Sequence, residues 1–359
     1  MNKKLMISLL LGAALSGLTL YLAFRNVPMQ ALLNYLSTIN YWWIGPTVLL
    51  VVAGFCLRVV RWRIILRQTG TVSYWQAFHP LMIGFMMNCV FPGRIGEFAR
   101  PVLLKKNHHI PIATGLATVA AERMFDFTLL ISLLVLVSGT ITSKPDLAVE
   151  CFGVHLSSGR LTAAAWLMIG SSITLLAFLA LIAVSWTRQV IKQVIVALTR
   201  PLCMRVGRSG RLATKLTDFG VSLIDNFAEG LAMVRNPKRL LSCIGLSVMI
   251  WGLAALSFLV FSLGCPGTSL DLTGWITVMV VISFFIALPS VPGFWGLWEA
   301  AGVFALALFG VTEKDALGFT LVNHAVQMFP VVAVGLVSAW MTSVNILQLK
   351  ITHQAQPGT

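Results

Sequence analysis

The amino-acid sequence predicts an all-α fold: a polytopic helical membrane protein built as inverted repeats with two re-entrant, broken helical hairpins. Three observations carry that prediction. Hydrophobic residues make up 57% of the 359 residues and charged ones only 11%, and several apolar runs reach 18 residues or more. Such runs have the length a helix needs to cross a hydrocarbon core of roughly 30 Å. The cations are unevenly placed, with ten of the 26 Lys and Arg in 188–239 between apolar runs, as in a segment held at the cytoplasmic face. Finally, Pro92-Gly93 and Pro292-Gly293 interrupt two apolar stretches in related contexts, PGRIGE and PGFWGLWE.

The elements follow in order. Residues 5–24 come after MNKK and look like a secretory signal, but an apolar run of about 20 residues exceeds the usual 7 to 15 and no A-x-A-like site follows. A retained first span is expected. Further apolar segments are 41–66, 72–91, 112–140, 161–187, 240–264, 273–288, 297–309 and 316–346. If every one crossed the membrane from a cytoplasmic N-terminus, the basic segment 188–239 would lie outside, against the positive-inside rule. The conflict disappears if 72–104 enters and leaves on one side, breaking at Pro92-Gly93. Arg58, Arg61, Arg63 and Arg67 then face the cytoplasm together with Lys105 and Lys106. A second hairpin, 273–309, would open from the outer side. Charge parity does not decide this one, and an ordinary Pro-Gly kink is the alternative reading.

The expected organisation is therefore a single transmembrane domain over 1–359. A first repeat covers about 41–187 with hairpin 72–104, and a second covers about 240–347 with hairpin 273–309, both termini being cytoplasmic. Opposed repeats of this kind put a binding site near the midplane. Between them, Leu212, Leu216, Phe219, Leu223, Phe227, Leu231 and Val234 recur at three- and four-residue spacing. They predict an amphipathic helix lying on the inner interface or against the protein's own inner loops. The connection 141–160 is neutral and suits the outer face.

Composition excludes several functions. The formal charge of +14 reads as topology and not as nucleic-acid binding. Cys56, Cys89, Cys151, Cys203, Cys243 and Cys265 show no CxxC spacing, so neither a metal site nor a redox motif is expected; only Cys151 and Cys265 lie where an oxidising compartment could reach them. P-loop, H-E-x-x-H and nucleophile-elbow patterns are missing, and about a dozen residues follow the last apolar segment. No cofactor, no enzymatic activity and no soluble catalytic domain are expected.

The informative residues are charges in apolar surroundings, which usually pair and mark a functional cavity. Arg94, Glu97 and Arg100 follow Pro92-Gly93 at three-residue spacing. A helix starting there would place them on one face, with free N–H groups at its start that favour an anion. Arginine grips phosphate through two hydrogen bonds. In the next span Glu122, Arg123 and Asp126 share a face at helical spacing. The six charges form either a headgroup path or a structural salt-bridge network, and the readings are compatible. In the last span Asn323, His324 and Gln327 share a face, which suits interhelical hydrogen bonding better than ligand binding. His79, His108 and His109 carry no specific expectation, and most of the 11 Trp fit interfacial anchoring.

PGRIGEFARPVLLKK, AAERMFDFTLL and PSVPGFWGLWEA, in that order and before a final polar-bearing span, resemble the lysylphosphatidylglycerol synthase transmembrane family of flippase-like membrane proteins, across roughly residues 5–347. The resemblance implies a bacterial or archaeal plasma-membrane protein that handles phospholipid or polyprenyl-linked lipids. It assigns family positions to Pro92, Gly93, Glu97 and Arg100, to Glu122, Arg123 and Asp126, and to Pro292, Gly293 and Glu299. His324 stands where many members carry Arg. The family's aminoacyl-transferase domain is missing from this sequence, so synthase activity is not expected. The leading expectation is a lipid translocase or scramblase whose substrate-binding residues are Arg94, Glu97, Arg100, Glu122, Arg123, Asp126, Glu299 and His324. The alternative is an accessory protein that presents lipid intermediates to a lipid-modifying partner enzyme.

Overall fold

The computed structural model describes residue 14 and residues 16–344, except 68–70, 92, 109, 143–148, 152–153, 288–291 and most of 157–184 and 204–235. Pro92 and His109 therefore lie outside the described residues, as does most of the amphipathic helix expected over 212–234. Among the described residues the fold is all-α apart from one short antiparallel pair, β1 (Val149–Cys151) with β2 (Val154–Leu156), in the connection 141–160. The helices are α1 (16–24), α2 (Met29–Thr38), α3 (Ile44–Leu66), α4 (Tyr74–Val90), α5 (Gly96–His108), α6 (Ile112–Thr142), α7 (Ser185–Cys203), α8 (Pro237–Ser262), α9 (Leu272–Phe285), α10 (Leu297–Ala307) and α11 (Glu313–Met341).

Their boundaries follow from local chemistry. Ser73 and Gln76 form a capping box at the start of α4, and Asp271 caps α9 by accepting from the Gly274 N–H. Asn236 caps α8, where Pro237 supplies a first residue that needs no donor. The Glu299 carboxylate accepts from the Gly296 N–H and so closes the first turn of α10. α7 is an addition to the sequence reading, which placed the start of this basic segment at the cytoplasmic face without expecting a helix there. Its apolar Val190, Val194 and Leu198 alternate with Lys192 and Gln193 at helical spacing.

Among the described residues, Tyr41–Leu66, Pro237–Ser262 and Glu313–Met341 are long and apolar enough to cross a membrane. The first two have 26 residues each, or roughly 39 Å. The 13 residues of α5, 14 of α9 and 11 of α10 reach only about 17–21 Å, short of a roughly 30 Å core. α4 and α5 form one hairpin and α9 and α10 another. The packing of the two is reciprocal: α3 lies along α8, α4 along α11, and α9 against α6, while α5 and α10 each sit beside the long helix that follows. The largest apolar cluster joins α2, α8, α9, α10 and α11 through Phe258, Phe261, Trp275 and Phe319; a smaller one holds Trp62, Leu66, Leu81 and Leu104.

Close approach of the first hairpin's limbs rests on two glycines. A Cβ on Gly96 would stand 1.8 Å from the Gly84 carbonyl oxygen, and one on Gly84 would stand 2.4 Å from the Arg100 side chain. Gly96→Ala is therefore expected to lower stability by about 1–3 kcal/mol through overpacking. Gly245→Ala, where an added Cβ meets nothing within 4 Å, is expected to leave it unchanged. Thermal unfolding of the two purified variants in detergent checks the contrast.

Candidate functional site

The sequence predicts one charged face on the helix after Gly93; the structure divides those charges between two environments. The cause is the turn. Gly93 and Arg94 both adopt positive φ, at 74° and 55°, and α5 starts only at Gly96. Arg94 is thus displaced from the helix that carries Glu97 and Arg100. The expected cradle of free N–H groups is also occupied: Asn88 Oδ1 accepts from the Gly96 N–H, and the N–H groups of Glu97, Phe98 and Ala99 donate to the carbonyls of Arg94 and Ile95.

The first environment is a fully buried network. Glu122 and Asp126 lie on one face of α6, as their spacing predicts, and turn toward Arg61 of α3. Arg61 meets Asp126 at 2.8 Å and Glu122 at 3.4 Å, and it donates to Ser247 of α8 at 2.7 Å. Arg100 of α5 donates to Glu122 at 2.6 Å while its guanidinium lies 4.1 Å from the Trp62 ring centroid. Trp251 of α8 donates to Asp126 as well. Arg61 and Glu122 are completely inaccessible, and Arg100 and Asp126 nearly so. Arg100 thus stands behind the wall of the cavity rather than in it.

The second environment is the cavity itself, about 250 Å³ between the tips of the two hairpins. It is lined by the charged side chains of Arg58 of α3, Arg94, Glu97 and Arg123 and by the rings of Phe55, Phe85, Phe258 and Trp298, the Arg58 guanidinium lying 5.8 Å from the Phe55 and Phe85 ring centroids. Here the ion pairs are loose: Arg94–Glu97 at 3.6 Å, Arg123–Glu97 at 3.9 Å, Arg123–Asp126 at 3.5 Å and Arg58–Asp126 at 3.6 Å. The side chains of Arg94, Glu97 and Arg123 are 25–29% accessible. Arg94 also donates to the Ile286 carbonyl at the end of α9, at 2.6 Å. Across both environments five guanidinium groups meet three carboxylates, which leaves two positive charges. Three buried N–H donors on cavity residues, Arg94 Nε, Arg123 Nε and Trp298 Nε1, have no acceptor among the described residues.

The second hairpin contributes differently. Glu299 is buried and faces His324 of α11, at 2.7 Å from Nδ1; the imidazole lies between Trp295 and Trp298, with ring centroids at 4.4 and 4.7 Å. His324 lines the cavity and Glu299 stands behind it. Gly293 has φ 70° and, with Pro292, forms the 3-10 turn Pro292–Phe294 at the tip. Gln327 donates to Ser257 of α8, the interhelical role its face predicts, whereas buried Asn323 has no hydrogen-bond partner among the described residues. Cys265 is a free thiol.

Sequence reasoning missed Arg58 and Arg61, which it assigned to a cytoplasmic cluster with Arg63 and Arg67. Their three-residue spacing within an apolar run could have placed both on one helix face. Ser247 and Trp251 carried no signal of their own.

The family model described as the lysylphosphatidylglycerol synthase TM region matches residues 9–335. The chain is 25% identical to a Haloferax volcanii protein named glycosyltransferase AglD, a match covering 95% of this chain and 55% of that protein. It thus spans about half the length of that curated relative. It is 24% identical to the UPF0104 membrane protein MJ1078 of Methanocaldococcus jannaschii over 73% of this chain and 96% of that one. No solved structure matches significantly.

The division between tight and loose pairs is testable on stability. Glu122→Gln leaves Arg61 and Arg100 buried against a neutral amide and is expected to cost about 3–5 kcal/mol. Arg123→Gln, in the accessible group, is expected to cost less than about 1 kcal/mol. Denaturant or thermal unfolding of each variant measures the difference.

Proposed function

The chain belongs to the lysylphosphatidylglycerol synthase TM-region family, and from that premise we propose that it moves a phosphate-bearing lipid between leaflets by passing the headgroup through the arginine-lined cavity. One observation carries the reading: residues lining the cavity carry buried N–H donors without acceptors among the described residues, beside loosely paired arginines in a network with two surplus positive charges. Each unsatisfied donor costs about 1–3 kcal/mol, so the site favours whatever brings acceptor oxygens. A phosphate diester brings several together with a negative charge, in a geometry that the arginine fork matches.

Arg94, Arg123 and Arg58 receive the phosphate in this reading. Glu97 holds two of them at 3.6 and 3.9 Å, beyond hydrogen-bonding distance, and releases them to a better acceptor. Arg61, Arg100, Glu122 and Asp126 hold the wall in place. The aromatic rings lining the cavity take the first apolar atoms of the lipid, whose chains remain in the bilayer. The short limbs of the two hairpins and their reciprocal packing support re-entrant elements in inverted repeats. The concentration of cations in 188–239 supports cytoplasmic termini in a plasma membrane. The reading is transport without catalysis; the relative named glycosyltransferase is matched over 55% of its length.

A second reading shares the site but not the movement: the protein binds a lipid phosphate and presents it to a lipid-modifying enzyme. Partly accessible arginines favour binding under either reading. Leaflet exchange of labelled phosphatidylglycerol in liposomes, read by quenching from outside, separates the two. Wild type is expected to accelerate exchange, and Arg94→Ala and Arg123→Ala to slow it at least tenfold, a barrier increase of about 1.4 kcal/mol, with unchanged thermal stability. Retention of phosphatidylglycerol through purification without any exchange would favour presentation. Full exchange by both variants would remove the cavity from the mechanism.

A further inference from the structure

We propose that the cavity selects headgroups whose only ionic group is phosphate, such as a phosphoglycerol or a phosphate monoester, and excludes those that also carry an ammonium group. The inference rests on the reading of the cavity as a lipid-phosphate site and narrows the class of lipid that the site takes.

An ammonium group that leaves water needs a carboxylate of its own, and the cavity has none to give. Glu97 is the one carboxylate among the described residues that line it, against the guanidinium groups of Arg58, Arg94 and Arg123. It already serves two of them, at 3.6 Å from Arg94 and 3.9 Å from Arg123. The other acids stand behind the walls. Arg61 engages both Glu122 and Asp126, and Arg100 engages Glu122. Both oxygens of buried Glu299 are in contact, Oε2 with the Gly296 N–H at 2.6 Å and Oε1 with His324 Nδ1 at 2.7 Å. The sign of the field does not depend on where the protons sit. Guanidinium groups stay charged throughout, so five of them against three carboxylates leave two positive charges, and neutralising any carboxylate adds to that surplus. The Glu299–His324 pair contributes at most one negative charge, which leaves the sum positive.

Aromatic rings, the usual alternative host for an ammonium group, are engaged as well. The Arg58 guanidinium lies 5.8 Å from the Phe55 and Phe85 ring centroids and 5.5 Å from that of Trp251. Trp298 is stacked with both His324 and Phe258, at 4.7 and 6.3 Å. That leaves Phe294, and a single phenyl face makes no cage. The remaining polar groups are neutral: Ser257, Ser283 and Gln327 line the cavity from the second half. Their hydroxyl and amide groups bond an uncharged polyol but bring no counter-charge. A phosphate that carries glycerol, or nothing further, is therefore satisfied at both ends. A headgroup with an ammonium meets like charge instead, the repulsive element that separates otherwise similar ligands.

Short-chain probes with a common tail test this: dihexanoyl forms of phosphatidylglycerol, phosphatidylethanolamine, phosphatidylcholine and lysyl-phosphatidylglycerol, titrated calorimetrically into the purified protein in detergent. Wild type is expected to bind phosphatidylglycerol about tenfold or more tightly than the ethanolamine and choline lipids, with the lysyl ester weakest. Arg123→Gln removes one lining charge and is expected to reduce the phosphatidylglycerol-to-phosphatidylethanolamine ratio by about threefold. It leaves the rest of the chain's +14 charge in place, so it separates the cavity from the basic surface. Arg58→Gln serves in the same way if Arg123→Gln does not fold. Equal binding of phosphatidylglycerol and phosphatidylethanolamine, a ratio that loss of the lining charge leaves unchanged, or no binding of any probe overturns the proposal. Liposome exchange of the same headgroups on long labelled chains keeps the two readings apart. If phosphatidylethanolamine exchanges as fast as phosphatidylglycerol, the selectivity is overturned and transport stands. Selective binding without exchange of any lipid supports the selectivity and overturns the transport reading alone.

Discussion

The bundle depends on a buried exchange of charge between α3, α5, α6 and α8. Arg61 reaches Glu122 and Asp126 of α6 and Ser247 of α8, and Arg100 brings α5 onto the same Glu122. None of these groups is affordable alone in an apolar interior, so the four helices are held in the one arrangement that gives each a partner. The same network supplies one wall of the cavity. Arg123, one residue from Glu122, and Arg58, three residues from Arg61, point from the same two helices into the space beyond.

The two halves of the chain solve the same geometric problem with different chemistry. Each places a short hairpin, broken near a Pro-Gly pair, against a long helix of the other half. In the first half the tip is charged and its limbs are brought together at Gly84 and Gly96. In the second the limbs are aromatic and aliphatic, and Ser257, Ser283, His324 and Gln327 line the cavity from this half, with Glu299 behind His324. The cavity consequently takes its guanidinium groups from the first half and neutral hydrogen-bonding groups from the second, with aromatic rings from both.

Much of this was legible in the sequence because membrane insertion leaves few choices. The all-α fold follows from composition and run length, and both hairpins were placed within a few residues of α4–α5 and α9–α10. The charged residues were also found, since a charge inside an apolar run is conspicuous. Their grouping was not. It depends on the positive φ of Arg94, which no spacing rule anticipates, and on Asn88 taking the first N–H of α5. Arg58 and Arg61 were misassigned because a cation near the end of a span looks the same whether it faces the interface or a carboxylate. α2 and α7 escaped because neither is a long apolar run.

The hydrogen bond from Arg94 to the carbonyl of Ile286 is a clasp between the two hairpins. Its acceptor is backbone at the end of α9 rather than a side chain, so changing the side chain at position 286 leaves the acceptor in place. The first half of the molecule is fastened to the second through an atom that side-chain substitution does not remove, whereas the donor depends on a single arginine.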